Sequence, residues 1–391
     1  MAKTSPRIAI MLDLQWPYKR HSDIFAGTQR YAQSQGWTSI IDEFCHATLR
    51  NSRRKAPPFD GIIARANRLL AERAAETGIP LVNVWSSSPV FQLVPSVCPD
   101  PKEIGRLCAE HFMARGFRNF ATVTSSSNRM ETHAVAEFGR ITANAEFTLA
   151  ELLIPQNPQR DLASWRKTES LIRRSMDKWT PPVGVYIGQE AIGRVVVQMC
   201  ENRGWRVPED VAIIAGQNQE TMCEYPRPSL TSVEVGYERI GYEAARWLHK
   251  LMDGEPAPGQ PVLLAPQGLV VRESTDFFAV DNVLVASALS FISANSHRPI
   301  GPDEVATAVG AEVRTLQNYF RKFLGRPVAA EIRRVRIERA KRELAQGKRP
   351  LAEIARDVGF GDIQRLYEVF LREVGIAPSE YRRQRKLESR I

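Results

Sequence analysis

The chain has 391 residues, 43% hydrophobic and 25% charged, with a formal net charge of +9. That length leaves room for two or three domains, and the composition excludes long disordered spans. Five cysteines without CxxC spacing or His pairing argue against a disulfide scaffold or zinc module. The apolar runs are too short to cross a bilayer, and no signal-peptide pattern precedes the first strand-like run. The expectation is a soluble cytoplasmic protein with reduced thiols.

Ile8–Leu12 is the first strand-like run, followed by a polar-aromatic loop from Asp13 to Arg20. A helix is predicted over Ser22–Gln35, with strands at Thr38–Ile41, Asp60–Ala64 and Pro80–Val84 and helices at Arg68–Thr77 and Lys102–Arg115. The rhythm restarts at Phe120–Thr124. Strands follow at Thr148–Ile154, Val183–Ile187 and Val211–Ile214, separated by helices near Glu131–Asn144, Leu162–Trp179 and Ala191–Arg203. This alternation predicts two doubly wound parallel sheets in series, a hinged α/β pair with a ligand cleft between its lobes. A helix at Tyr237–Met252 and short strands at Val262–Leu264 and Gly268–Val271 complete this domain, placed at residues 1–278.

Residues 279–391 read as all-helical and are the basic part of the chain, with 21 Lys and Arg against 14 Asp and Glu. They contain a repeat. Val305, Ala306, Val309 and Gly310 recur 49 residues later as Ile354, Ala355, Val358 and Gly359; past the turn, Leu316, Phe320, Leu324 and Gly325 recur 50 residues later as Leu366, Phe370, Val374 and Gly375. An offset that changes by one residue inside a turn marks one helix-turn-helix unit used twice. In the first unit Leu316, Phe320 and Phe323 face inward, leaving Arg314, Thr315, Gln317, Asn318 and Arg321 outward. In the second, Asp362 is the predicted N-cap, Leu366, Val369 and Phe370 face inward, and Gln364, Arg365, Tyr367 and Glu368 face out. These outward residue types suit base edges and phosphates of double-stranded DNA. Arg372, Tyr381, Arg382 and Arg383 are candidate phosphate contacts. A basic tail that merely solubilises is the competing account of the charge alone.

Sugars need paired polar groups on their hydroxyls and an aromatic face against their C–H surface. Asp13, Gln15, Trp16 and Arg20 follow the first strand, Trp85 the fourth, and Gln189, Glu190, Gln217 and Asn218 follow strands of the second lobe, so all are predicted to converge on the cleft. Arg129, Glu131 and His133 are weaker candidates, and His21 and His249 are assigned to the surface. No GxGxxG after a strand, P-loop, GxSxG or HExxH occurs, so no enzyme, cofactor or metal site is expected.

Leu316-Gln-Asn-Tyr-Phe320, Arg336-Ile-Glu-Arg-Ala-Lys-Arg-Glu-Leu344, Ile354-Ala-Arg-Asp-Val-Gly-Phe360 and Gly375-Ile-Ala-Pro-Ser-Glu-Tyr-Arg382 resemble the AraC/XylS-type DNA-binding domain. Glu312, where that family commonly has a capping Ser, and Arg365, where it has an aromatic, depart from it. Pro208-Glu-Asp-Val-Ala-Ile-Ile214, Pro228-Ser-Leu-Thr-Ser-Val233 and Leu269-Val-Val-Arg-Glu-Ser-Thr275 resemble the effector domains of LacI-type repressors, which share the fold of periplasmic sugar-binding proteins. Together they resemble the XylR type of xylose-operon activator over nearly the whole chain. The resemblance implies a homodimeric, sugar-switched regulator that reads direct-repeat half-sites and contacts RNA polymerase. It places Asp100 at the lobe crossing, Gln189 and Glu190 where an Asn-Asp pair commonly faces the ligand, and Gln217 where an effector-binding Asp commonly sits. A regulator whose cleft takes a non-sugar effector or none, and a Rossmann-like carbohydrate enzyme with a helical appendage, are the alternatives.

Overall fold

The computed structural model describes residues 5–15, 19–51, 58–155, 158–280, 282–346 and 349–383. In chain order the elements are β1 (Arg7–Met11), α1 (Lys19–Gln35), β2 (Thr38–Ile41), α2 (Cys45–Asn51), β3 (Gly61–Ala64), α3 (Arg68–Thr77), β4 (Leu81–Asn83), β5 (Val97–Pro99), α4 (Pro101–Ala114), β6 (Asn119–Ser125) and α5 (Arg129–Asn144). There follow β7 (Thr148–Ile154), α6 (Leu162–Met176), β8 (Val183–Ile187), α7 (Glu190–Asn202), β9 (Val211–Ala215), α8 (Glu220–Glu224), β10 (Thr231–Glu234), α9 (Tyr237–Met252), β11 (Val262–Leu264) and β12 (Gly268–Val270). A 3-10 turn at Glu273–Thr275 leads to α10 (Val283–Asn295), α11 (Pro302–Ala308), α12 (Val313–Leu324), α13 (Val328–Gln346), α14 (Leu351–Asp357) and α15 (Ile363–Val374).

The first lobe is a parallel sheet in the order β2-β1-β3-β4, carried on by a bridge from Asn83 to Ser96 to β5, which pairs in parallel with β11. The second lobe is ordered β12-β10-β9-β8-β6-β7. It corrects the expectation of a purely parallel sheet, because β12 runs antiparallel to β10. The chain leaves β10 at Glu234, beside the cleft, and returns there at Gly268, so the returning strand must run the opposite way. Strands β3, β8 and β9 are buried along their whole length, as helices on both faces require. The short elements α2, β5, α8 and β10 are not signalled by apolar periodicity.

The first lobe is discontinuous in sequence, and α9 closes it by packing on α1. The approach is backbone to backbone: a Cβ on Gly27 would lie 1.8 Å from the carbonyl oxygen of Glu238, and one on Gly241 would lie 1.9 Å from that of Ile24. The chain passes between the lobes after β5, after β10 and after β11. These passages are stitched together: Asp100 N–H donates to Leu264 O (2.8 Å), Gln267 N–H to Glu234 O (2.8 Å), and the Arg239 guanidinium to Ala265 O (2.9 Å).

The helical domain has two cores, one around Leu316 and Phe320, the other around Leu366 and Phe370. Both recognition helices, α12 and α15, end on a left-handed glycine, Gly325 and Gly375, whose N–H closes onto the last turn. Helix α13 contributes to both cores, Val328 and Ile332 to the first and Ile337 and Leu344 to the second, and Arg336 between them ties it to the first. The buried Arg336 guanidinium donates to the carbonyls of Ser296 (2.9 Å), Arg298 (2.7 Å) and Ile300 (3.2 Å), which follow α10.

Candidate functional site

The cleft between the lobes encloses about 760 Å³. Arg20, Trp85, Gln189, Glu190, Gln217 and Asn218, all nominated from the sequence, line it. Trp16 lies outside the described residues. Asp13, Gln15 and Asp100 are not in the lining. Gln15 is exposed. Asp13 turns back to form an ion pair with Arg65, and the loop that carries it is clamped by Glu43, which accepts from Asp13 N–H (2.9 Å) and Leu14 N–H (3.2 Å). Asp100 caps α4, accepting from the N–H groups of Lys102 and Glu103.

From the first lobe, Trp85 presents the aromatic surface. The Arg65 guanidinium stacks over it at 4.9 Å and is itself held by Asp13. Arg65 is the residue after strand β3, so the rule that ligands meet the carboxyl ends of strands would have found it. His21 is a correction: it is buried, lines the cleft, and its Nδ1 donates to Asp13 O (3.0 Å). Burial lowers its pKa. His249 is also not a free surface group, since it bonds Tyr31 Oη at 2.8 Å and packs edge-on against Trp37.

The second lobe supplies the floor. Glu131, fully buried, accepts from Ser125 N–H (2.6 Å) and Asn128 Nδ2 (2.6 Å), and burial raises its pKa. Gly188 passes directly over it: a Cβ there would lie 2.2 Å from Glu131 Oε2. This close passage brings the start of α7 onto the cleft. Gln189 occupies its N-cap without making a side-chain cap bond.

Glu190 begins α7. Its Oε1 is buried with no hydrogen-bond partner among the described residues. Burial pushes its carboxyl up to about 7; the neighbouring Glu131 adds to the rise, while hydrogen bonds with the backbone of Glu190 and Gln217, and the charge of Arg20, oppose it. Gln217 accepts from Tyr237 Oη at 3.3 Å. Asn218 is held on both sides of its amide: Nδ2 donates one bond to Glu234 (2.8 Å), and Oδ1 accepts from Ser232 (2.9 Å) and Arg272 (2.9 Å). Trp85, Arg20, Gln189, Glu190 and Gln217 together give the cleft an aromatic face with hydrogen-bonding groups. At the rim, Lys19 bridges the lobes to Glu220 (3.4 Å), and Ser87 Oγ accepts from Arg129 N–H (3.0 Å). Among the described residues, no group of three or more His, Cys, Asp or Glu could hold a metal ion, and no helix is long and apolar enough to cross a membrane.

On α12, Arg314, Thr315, Asn318 and Arg321 are exposed while Leu316 and Phe320 are buried. Gln317 is half-buried, its Oε1 accepting from Val328 N–H at 3.4 Å. On α15, Gln364, Arg365, Tyr367 and Arg372 are exposed, and Asp362 caps the helix by accepting from Arg365 N–H (2.7 Å). Arg372 pairs with Glu373 at 3.2 Å. Arg382 is half-buried, its Nε and Nη2 without hydrogen-bond partners among the described residues.

Two family models match the chain: a periplasmic binding protein-like domain over residues 109–275 and a helix-turn-helix domain over residues 305–384. The xylose operon regulatory protein of Escherichia coli (strain K12) is 26% identical over 383 residues, 96% of each chain. The chain is a homologue of the xylose operon regulatory proteins. The relative of that name from Haemophilus influenzae is 25% identical, over 96% of this chain and 98% of its own. Among solved structures, the xylose-binding transcription activator xylR aligns with a TM-score of 0.60 at 24% identity, covering 98% of this chain and 99% of its own. The transcriptional regulator CelR in its cellobiose complex aligns with a TM-score of 0.54 at 20% identity, over 68% of this chain and 84% of its own. These likenesses bear out the architecture, a periplasmic-binding-protein-like α/β domain followed by a helical helix-turn-helix domain.

Proposed function

We propose that this homologue of the xylose operon regulators is a cytoplasmic, sequence-specific DNA-binding transcription regulator of sugar catabolism. A small sugar, a pentose such as xylose, is bound between the lobes and switches it. One observation carries the reading: a polar, aromatic-walled cleft and a doubled, outward-facing helix-turn-helix occur in one chain that aligns end to end with the xylose operon regulatory proteins.

In this reading the chain is a regulator and not an enzyme. Trp85 covers the C–H face of the sugar, and Gln189, Glu190, Gln217 and Arg20 bind its hydroxyls. Arg314, Thr315, Asn318 and Arg321 on one helix, and Gln364, Arg365, Tyr367 and Arg372 on the other, contact two successive major grooves about 34 Å apart. A homodimer reads two half-sites, and activation proceeds through contact with RNA polymerase. Domains of residues 1–278 and 279–391 divide the sensing and DNA-binding roles.

A thermal-shift screen against free pentoses, hexoses and their phosphates tests the sugar, since a ligand of the native state raises the melting temperature by mass action. Stabilisation by one sugar, lost in Trp85→Ala, is expected. No response to any of them, in protein that still binds its own upstream DNA, would favour the second reading of a non-sugar or lost effector. The binding of the Asn218 carbonyl oxygen by Ser232 and Arg272, and of one of its N–H groups by Glu234, is the observation that favours that alternative.

A further inference from the structure

The connection from the effector domain to the DNA-binding domain is not a loose tether. Residues Phe277 to Val280 run as a strap whose side chains alternate. Phe277 and Ala279 pack on the core of the effector domain, and Phe278 and Val280 pack in the first core of the DNA-binding domain. The strap is bound to the end of α4. Ala279 N–H donates to Arg115 O (2.8 Å), and Arg115 Nε donates to Thr275 O (2.9 Å). The Arg115 guanidinium lies 5.8 Å from the centre of the Phe278 ring, His111 Nε2 bonds Thr275 Oγ1 (3.0 Å), and Phe117 meets Phe277 edge-on. From the DNA-binding side, Arg326 Nη2 donates to Ala114 O at 3.4 Å. Arg326 follows recognition helix α12 directly and is fixed by the buried Glu331.

Helix α4 belongs to the second lobe. Gly105 is so close to α5 that a Cβ would lie 2.1 Å from Ala134 O, and Phe112 fills the space beside Gly184 of β8. Its other end is at the hinge, where Asp100 N–H meets Leu264 O. One helix therefore spans from the lobe crossing to the seat of the DNA-binding domain.

We propose that α4 and the strap fuse the second lobe and the DNA-binding domain into one moving body, with Arg115 as the positioning residue. Closing the cleft then turns the DNA-binding domain against the first lobe. That last consequence rests on the sugar-switched reading above; the fusion itself does not.

Two spin-label pairs in the full chain separate the two ideas. The five native cysteines are buried, so labels go to exposed sites: Arg174→Cys with Thr307→Cys (second lobe to DNA-binding domain), and Ala75→Cys with Thr307→Cys (first lobe to DNA-binding domain). The expected result is a narrow Arg174–Thr307 distance distribution that is the same with and without D-xylose and is lost in Arg115→Ala. A short Gly-Ser insertion after Val280 gives the same loss if Arg115→Ala fails to fold. In the same Arg115→Ala protein, D-xylose affinity is unchanged, but the factor by which D-xylose alters DNA affinity falls from roughly 5–150-fold towards one. A broad Arg174–Thr307 distribution in the parent, or one that stays narrow in both variants, overturns the proposal. If D-xylose moves neither pair, xylose as the switching sugar fails, and the Arg174–Thr307 distribution still decides the fusion.

Discussion

Replacing Glu190 by Gln tests the floor of the cleft most directly. The glutamate is buried, its Oε1 has no hydrogen-bond partner among the described residues, and its carboxyl is pushed from 4.5 up to about 7 by burial first and the charge of Glu131 second. A carboxyl whose folded pKa lies above its unfolded one binds more protons in the native state between those two values. Its contribution to stability is present below about 4.5 and is lost as pH rises through about 7. Each pH unit of that window is worth about 1.4 kcal/mol, so carrying the charge at pH 8 costs on the order of 3 kcal/mol. The carboxamide is nearly isosteric and has no charge to bury. Urea denaturation of parent and Glu190→Gln protein, followed by tryptophan fluorescence at pH 5 and pH 8, measures the effect. The variant should match the parent near pH 5 and exceed it at pH 8. A variant equally or less stable than the parent at pH 8 would refute the argument that ionising this buried carboxyl costs stability.

Trp85→Ala should weaken sugar binding and also loosen Arg65, which loses a cation–π partner worth about 0.5–2 kcal/mol; calorimetric titration reads the affinity, and an unchanged value removes Trp85 from the site. Gly27→Ala forces a methyl onto the Glu238 carbonyl and should destabilise the effector domain by about 1–3 kcal/mol or more, seen as a lower urea midpoint. Arg314→Ala should relax base preference at one operator position by about 1–3 kcal/mol; uniform weakening across sequences would make Arg314 a phosphate contact instead. Arg336→Ala strips three carbonyls of their donor and should lower DNA-binding-domain stability by about 3 kcal/mol; a melt within experimental error of the parent would show that the two helix-turn-helix units do not depend on it.

The long elements could be read from the sequence because their burial is continuous. Strands such as Val183–Ile187 are apolar at every position but glycine, and α12 and α15 carry their large apolar residues on one side. Among the short elements at the lobe crossings, β11 and β12 carry apolar runs that could be read, whereas β5 (Val-Cys-Pro) and β10 (Thr-Ser-Val-Glu) have too few apolar residues between polar turns to be detected. Proximity to a strand end located the cleft wall correctly for Trp85, Gln189 and Gln217. It did not predict side-chain direction. Asp13 turns to Arg65 and Asp100 to its own helix, because local ion pairs and caps compete for the same carboxylates. Tyr237 begins α9 and reaches the cleft only because the chain crosses back between the lobes, whereas Arg65 follows β3 and was open to the same strand-end rule. The strap at Phe277–Val280 looked like a linker boundary, whereas its alternation serves two cores at once.

Among the described residues, the contacts that join the lobes across the cleft mouth are exposed or part-buried ones, including Lys19 to Glu220 and to Asn218 O (3.3 Å) and Arg129 over the Phe91 ring (5.1 Å). The Lys19–Glu220 bridge is exposed, with 35% and 66% of the two side chains accessible, and such pairs contribute about 0–1 kcal/mol. The bond from Arg129 N–H to Ser87 Oγ is also at an exposed site. The floor is different. Glu190 is buried with one oxygen unpartnered among the described residues, and Gln189 makes no side-chain cap bond at the start of α7, so donors and acceptors brought there would be met in a low-dielectric setting where they count for more. A ligand that joins Trp85 on one lobe to Glu190 on the other interacts with the closed arrangement and with only half of the open one. That difference in affinity between two states is the physical requirement for a switch, and in the proposed reading the floor of the cleft supplies it rather than the rim.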